Sequence, residues 1–132
     1  MQASATWIQD ERFLGTATSG HAIVTDASEE KLAASPLELV LIGLCGCTAS
    51  DVATILRKKR ESYTLLEVRA QAERAADVPR VFTSIKLLYR VSDTVSRKAM
   101  EDSVRLSKEK YCSVSQMLAK AVPISYEIEY VK

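Results

Sequence analysis

The sequence predicts an α+β fold with the element order βββ-α-ββ-αα-β. Three observations carry this. Short strand-like stretches separated by turn residues open the chain. An apolar helix with an explicit start signal fills the middle. From residue 66 the hydrophobic period falls to two, returns to a helical period after residue 94, and ends on one more alternating stretch.

Each element has a local reason. Residues 3–9, 12–18 and 21–26 read as three strands, with Asp10-Glu11 and Ser19-Gly20 supplying the turns between them. Residues 27–33 form a polar connection. "SPLE" at 35–38 starts a helix: Ser35 suits the N-cap, Pro36 the first helical position, and Glu38 completes a capping box. This helix is expected to reach Arg60. Its first half, 37–49, is apolar nearly all round and is expected to be buried on every side. In its second half Val52, Ile55 and Leu56 face inward, and four basic residues, 57–60, complement the helix dipole.

Leu66, Val68, Ala70 and Ala72 then alternate with polar partners. After a turn at 76–80, Val81, Thr83, Ile85, Leu87, Tyr89 and Val91 alternate again, which makes a hairpin with one covered face. A helix is expected over 94–109. A shorter one over 113–121 carries Val114, Met117, Leu118 and Ala121 on one face and stops at Pro123. Ile124, Tyr126, Ile128 and Tyr130 mark the last strand. With no repeat, low-complexity segment or internal linker, residues 1–132 read as a single domain.

Composition narrows the function classes. The chain is 47% hydrophobic and 27% charged, with 18 Lys and Arg against 17 Asp and Glu. That balance gives no pull toward nucleic acid or anionic membranes. "RKKR" at 57–60 reads as a solvated helix end, and no exposed aromatic stacking set accompanies it. No apolar run is expected to reach the roughly 20 residues that span a bilayer, and the first residues lack the layout of a signal peptide. Three cysteines is an odd count without framework spacing. This points to a cytoplasmic protein with reduced thiols, in which a lasting disulfide would be catalytic rather than structural.

The cysteines are the candidate chemistry. Residues two apart on a helix point roughly 200° apart, so Cys45 and Cys47 cannot share one pocket wall or chelate one metal. That argues against zinc, although three Cys and His21 would satisfy a ligand count. Cys47 keeps company with Ser50, Asp51 and Thr54, whereas Cys45 aligns with Leu41 and Leu44. Cys47 is the candidate for the polar side, and Cys45 reads as a small core hydrophobe. Cys112 precedes the short helix, where a helix N-terminus, Lys108 and Lys110 would favour its thiolate. Both thiols keep an inert, buried reading as well. If Cys47 and Cys112 meet, they form a two-thiol redox site. His21 beside a turn glycine reads as a strand-end residue, and Arg12 and Arg80 read as turn arginines. Glu38 and Cys47 lie nine residues apart, half a turn out of phase on a straight helix. If both serve one site, the helix is broken or a second subunit contributes.

The stretches "SPLELVLIGLCGCTASDVATILRKKR", "EKYCSVSQML", "FLGTATSGH" and "PRVFTSIKLLY" together resemble the OsmC/organic hydroperoxide resistance family, in particular its YhfA-like branch. The resemblance implies an OsmC-like fold with a long central buried helix, an intertwined homodimer with sites at the subunit interface, and reduction of organic hydroperoxides by a cysteine pair. Carried onto this chain, Cys47 takes the peroxidatic position and Cys112 the resolving one. Glu38 takes the acidic position that pairs with an activating Arg. The Gly-rich turn that carries that Arg in hydroperoxide-specific members is absent here, which leaves Arg12 and Arg80 as its candidates. The implied activity is thiol-dependent peroxidase chemistry in oxidative stress defence. It takes an organic hydroperoxide as substrate and an external dithiol as reductant, with no cofactor or metal and no nucleic-acid or membrane partner. The alternative is a non-catalytic dimer that binds a small apolar ligand at the subunit interface.

Overall fold

The computed structural model describes all residues from Met1 to Lys132. The elements are β1 (Ala3–Gln9), β2 (Arg12–Ala17), β3 (Ala22–Asp26), α1 (Pro36–Lys58), β4 (Leu66–Arg74), β5 (Phe82–Ser92), α2 (Arg97–Leu106), a π-helical turn (Ser107–Tyr111), α3 (Ser113–Ala119) and β6 (Ile124–Val131). The mixed α+β order is the one the sequence predicts. The residues group into two compact units, Met1–Leu41 and Ile42–Lys132, and α1 runs unbroken through the junction.

In the first unit, β1, β2 and β3 form an antiparallel meander. Asp10 sits in the left-handed region at φ 51 and closes the first turn, where the Trp7 indole donates to its carbonyl at 2.9 Å. The buried Asp26 carboxylate accepts from the backbone N–H groups of Ser28 and Leu32, both at 2.9 Å, and so orders the polar connection. The capping box at the start of α1 forms as expected. Ser35 N–H donates to Glu38 Oε1 at 2.9 Å, and Glu38 N–H donates to Ser35 Oγ at 3.2 Å. The other end of α1 closes with Arg60 at φ 59, Arg60 N–H on Arg57 O and Glu61 N–H on Leu56 O. This is a Schellman motif with arginine where glycine is usual, and it ends the helix at Lys58 rather than Arg60.

In the second unit, β5 is the central strand of the sheet β4-β5-β6, antiparallel to β4 and parallel to β6. A parallel pair needs a long crossover, and α2, the π-helical turn and α3 supply it. The alternation of β5 aims Ile85, Leu87, Tyr89 and Val91 into the core. On the opposite face Arg90 lies in register between Glu67 and Glu129 and bonds both, at 2.8 and 2.9 Å. From α1 the stripe Leu44, Thr48, Val52 and Leu56 is fully buried at i, i+4 spacing, and α2 adds Ala99, Met100 and Val104.

One interaction ties these layers together. The Thr48 hydroxyl lies 2.7 Å from Tyr89 OH and 2.8 Å from Ser107 Oγ, and Ser107 Oγ donates to Asp51 Oδ2 at 2.9 Å. A hydroxyl has one proton to give. Ser107 spends its proton on the carboxylate, so Thr48 donates to Ser107 and Tyr89 donates to Thr48.

Several expectations need correction. Segment 37–49 is not buried on every side within one chain: Val40, Ile42, Gly43 and Gly46 are exposed, Ile42 by 57%. The expected absence of a membrane-length apolar run also fails, because α1 is long and apolar enough, by length and composition alone, to cross a bilayer. Its buried stripe and the Thr48 bonds make it a core helix of this fold. The third helix ends at Ala119, leaves Met117 64% exposed and buries Ser115 instead, because Ser115 is held by its backbone N–H. The helix expected over 94–109 starts at Arg97, behind the Ser96 N-cap, and gives way to the π-helical turn after Leu106.

Two substitutions check this core. Leu56→Ala, at a fully buried position, is expected to cost about 2–5 kcal/mol in urea unfolding. Thr48→Val keeps the shape but strands the Tyr89 hydroxyl, while Ser107 keeps its bond to Asp51, and is expected to cost about 1–3 kcal/mol.

Candidate active site

The chain brings Cys47 of α1 to Cys112, which stands between the π-helical turn and α3. The π-helical turn is closed by Cys112 N–H on Ser107 O at 2.8 Å. Cys112 then turns to an extended backbone (φ −74, ψ 101) and becomes the N-cap of α3, its Sγ accepting from Ser115 N–H at 3.3 Å. Asp51 follows Cys47 by one helical turn, so both share a face of α1. The sulfurs of Cys47 and Cys112 and a carboxylate oxygen of Asp51 all lie within 4.8 Å of one another. Ser113 Oγ stands 3.9 Å from Cys47 Sγ.

The two thiols differ electrostatically. Burial pushes the Cys47 thiol up, but hydrogen bonds from Val114 N–H, the Cys112 thiol and the Ser113 hydroxyl outweigh it, and the pKa falls below the ordinary value despite the Asp51 charge. Donors to the charged form lower a pKa. Cys112 moves the opposite way, to about 11: burial raises it most, its bond to Cys47 and the charges of Cys47 and Asp51 raise it further, and Ser115 N–H opposes. The pair therefore joins one sulfur whose thiolate is favoured to one that stays protonated at neutral pH. Burial lowers the Lys108 pKa against a smaller opposing effect of Cys112; its ammonium donates to Ile124 O at 3.0 Å and lies over the Tyr126 ring at 5.2 Å. Beside Asp51 a cleft of about 400 Å³ is lined by Thr54, Ile55, Lys58, Lys59, Leu106 and Tyr111.

The other candidates stand elsewhere in the hydrogen-bond pattern. Glu38 is held in its capping box, where its bonds from Ser35 lower its pKa. Arg12 pairs with Asp10 at 3.5 Å. Arg80 donates through Nε to Ala75 O at 3.3 Å in the β4–β5 turn. The groups that act most on Cys47 are Val114, Cys112, Ser113 and Asp51. His21 meets Ser19 Oγ at 3.1 Å. Cys45 is half-buried, and burial alone raises its pKa. The sequence alone assigns no role to Asp51, Ser107 or Ser113. The i, i+4 spacing from Cys47 could have pointed to Asp51, but Ser107 and Ser113 reach the site only through the π-helical turn, which no residue pattern announces.

Comparison with known proteins adds a second kind of evidence. A family model described as OsmC-like protein matches residues 27–127. Protein YhfA of Escherichia coli K12 is 42% identical over 132 residues, covering 99% of this chain and 98% of that protein. The chain belongs to the OsmC-like protein family. Solved structures agree with that fold. An OsmC-like protein from Mycoplasma pneumoniae superimposes with a TM-score of 0.87 at 15% identity, over 99% of this chain and 96% of the other. The organic hydroperoxide resistance protein OhrB of Bacillus subtilis does so with a TM-score of 0.70 at 16% identity, over 98% of each chain. Within this OsmC-like framework Asp51 belongs both to the cluster with the two thiols and to the lining of the cleft.

Alkylation by iodoacetamide, followed peptide by peptide against pH, reads the thiols separately. Cys47 is expected to react at lower pH than a free cysteine, and Cys112 only as pH approaches about 11. Ser113→Ala removes a donor and should move Cys47 upward. Asp51→Asn removes a negative charge that raises both thiols and should move both profiles to lower pH.

Proposed function

We propose that this protein is a cysteine-based peroxidase that reduces organic hydroperoxides to alcohols in oxidative stress defence. The observation that carries the reading is the asymmetric thiol pair: Cys47 with a lowered pKa, in reach of Cys112 with a raised one. The naming of structurally similar proteins for organic hydroperoxide resistance supports it.

The Cys47 thiolate attacks the terminal oxygen of ROOH. The O–O bond breaks, the alkoxide takes a proton and leaves as alcohol, and Cys47 becomes a sulfenic acid. Cys112 then attacks that sulfur. Its proton goes to the departing hydroxide, so the products are a Cys47–Cys112 disulfide and water. An external dithiol restores both thiols by exchange. Ile55, Leu106 and Tyr111 give the cleft an apolar wall for the organic group. Hydrogen-bond donors perform the activation that a guanidinium would otherwise supply. Glu38, with Arg12 or Arg80, completes the site only if a second subunit brings them there, because α1 is unbroken and sets Glu38 and Cys47 half a turn apart.

The working form on this reading is a cytoplasmic homodimer of single OsmC-like domains, 1–132. Exposed Trp7, Ile8, Ile23 and Ile42, at 47–64%, favour a covered surface. The alternative, a non-catalytic dimer holding an apolar ligand, draws on the same cleft and has no use for the split between the two thiols.

Peroxide consumption separates the readings. Wild type with a dithiol is expected to turn over cumene hydroperoxide. Cys112→Ser should consume one equivalent and then stop, its sulfenic acid persisting or climbing to sulfinic acid by mass spectrometry. Cys47→Ser should consume none, and Cys45→Ser should turn over with reduced stability only. Wild-type turnover in Cys47→Ser would remove the peroxidase reading. Solution scattering at micromolar concentration is expected to return a dimer mass, and a monomer would overturn the assembly.

A further inference from the structure

We propose that Cys47, Cys112 and Asp51 form a binding site for a thiophilic divalent cation, Zn²⁺ in the first instance, with its fourth coordination position left open. This is a different set from the one the sequence weighs, which joins the three cysteines to His21. The facing argument still excludes Cys45 and Cys47 from one metal. The fold instead brings a second thiol from another helix and a carboxylate from the next turn of α1.

Four features of the cluster carry the proposal. The first is distance: the three donor atoms lie within 4.8 Å of one another. A tetrahedral Zn²⁺ with Zn–S near 2.3 Å places two sulfurs about 3.8 Å apart, a contraction that side-chain rotation supplies. The second is donor type. Two sulfurs and one carboxylate select a soft or borderline cation over Mg²⁺ or Ca²⁺. The third is the outer shell. Ser107 donates to Asp51 Oδ2 at 2.9 Å, Ser115 N–H to Cys112 Sγ at 3.3 Å, and Ser113 Oγ stands 3.9 Å from Cys47 Sγ. Metal-binding carboxylates and thiolates are oriented by partners of this kind. The fourth is charge. The Asp51 carboxylate disfavours the thiolates of both neighbours, and a dication between the three groups turns that repulsion into attraction. Asp51 also borders the cleft.

Binding displaces the thiol protons: Zn²⁺ + Cys47–SH + Cys112–SH + Asp51–COO⁻ gives the bound ion and two H⁺. Nothing is oxidised or reduced. Affinity must therefore rise with pH, and the Cys112 proton is the harder one to displace. Where the peroxidase reading above holds, an occupied site commits the Cys47 lone pair and silences it toward peroxide. The binding itself does not depend on that reading.

The test uses the reduced full-length protein and Co²⁺ or Zn²⁺ alone. Co²⁺ is expected to produce thiolate-to-cobalt charge-transfer absorption in the near ultraviolet together with visible bands of tetrahedral intensity, at one ion per chain. Zn²⁺ should abolish both, and a chromogenic chelator then gives its affinity. Cys47→Ser and Cys112→Ser should each lose the charge-transfer band or halve it. Asp51→Asn, which removes the charged oxygen ligand, should weaken Zn²⁺, and Cys45→Ser should bind as wild type. Circular dichroism confirms that each variant is folded; if Asp51→Asn unfolds, Asp51→Glu, which keeps the ligand type, replaces it and should retain binding. Absence of the thiolate band in wild type, or equal loss in Cys45→Ser, overturns the proposal. Peroxide consumption is measured separately with chelator present. Binding without turnover defeats the peroxidase reading alone, and turnover without binding defeats the metal site alone.

Discussion

The second unit depends on the burial of one hydroxyl. Thr48 stands at 0% exposure in the middle of the α1 stripe, where an aliphatic residue would pack as well. Its oxygen joins the central strand to the crossover, through Tyr89 on one side and Ser107 on the other. A buried hydroxyl without partners costs more than it contributes, so the three groups are stable only together. The proton order then runs one way, Tyr89 to Thr48 to Ser107 to Asp51. It terminates on a group that can only accept, an ionised carboxylate. The position of Asp51, and with it the field felt by both thiols, is set from inside the core. Burial pushes the Tyr89 phenol up to about 12, which keeps the first donor of the series protonated.

The site has little built for it alone. α1 is the main core helix of the unit and also carries Cys47 and Asp51. Cys112 serves as the N-cap of α3, a position where Ser, Thr, Asp or Asn is usual. That substitution of sulfur for oxygen is informative. A thiol at an N-cap satisfies one backbone donor, and the turn it starts presents Val114 N–H and the Ser113 hydroxyl to the neighbouring sulfur. Capping of α3 and the lowered pKa of Cys47 thus draw on neighbouring groups of one turn.

Much of the fold is legible in the residues because its signals are local. The capping box Ser35–Glu38, the alternation of Ile85, Leu87, Tyr89 and Val91, and the turn chemistry at Asp10 each act within a few positions. The facing of Cys47 away from Cys45 follows from helix geometry. What escapes is non-local or depends on context. Segment 37–49 reads as wholly buried because it is apolar, yet exposure depends on what lies opposite, and Ile42 has nothing over it in one chain. Met117 fits the apolar face of α3 by spacing, but the backbone bond from Ser115 to Cys112 rotates that face away. Asp51 shows its spacing in the sequence. Its partner Ser107 lies 56 residues on, and no period links them.

The π-helical turn adds a constraint of length. Its closing bond runs from Cys112 N–H to Ser107 O, one residue wider than an α turn. That surplus residue lets Ser107 face the core and Cys112 face Cys47 within so short a span. Loss of one residue between 107 and 111 would restore an ordinary helix and swing everything after it by about 100°. Cys112 would then point elsewhere although every side chain of the site remained in the sequence. Across related chains, an alignment gap in this segment would therefore mark the loss of the thiol pair more reliably than the cysteines themselves mark its presence.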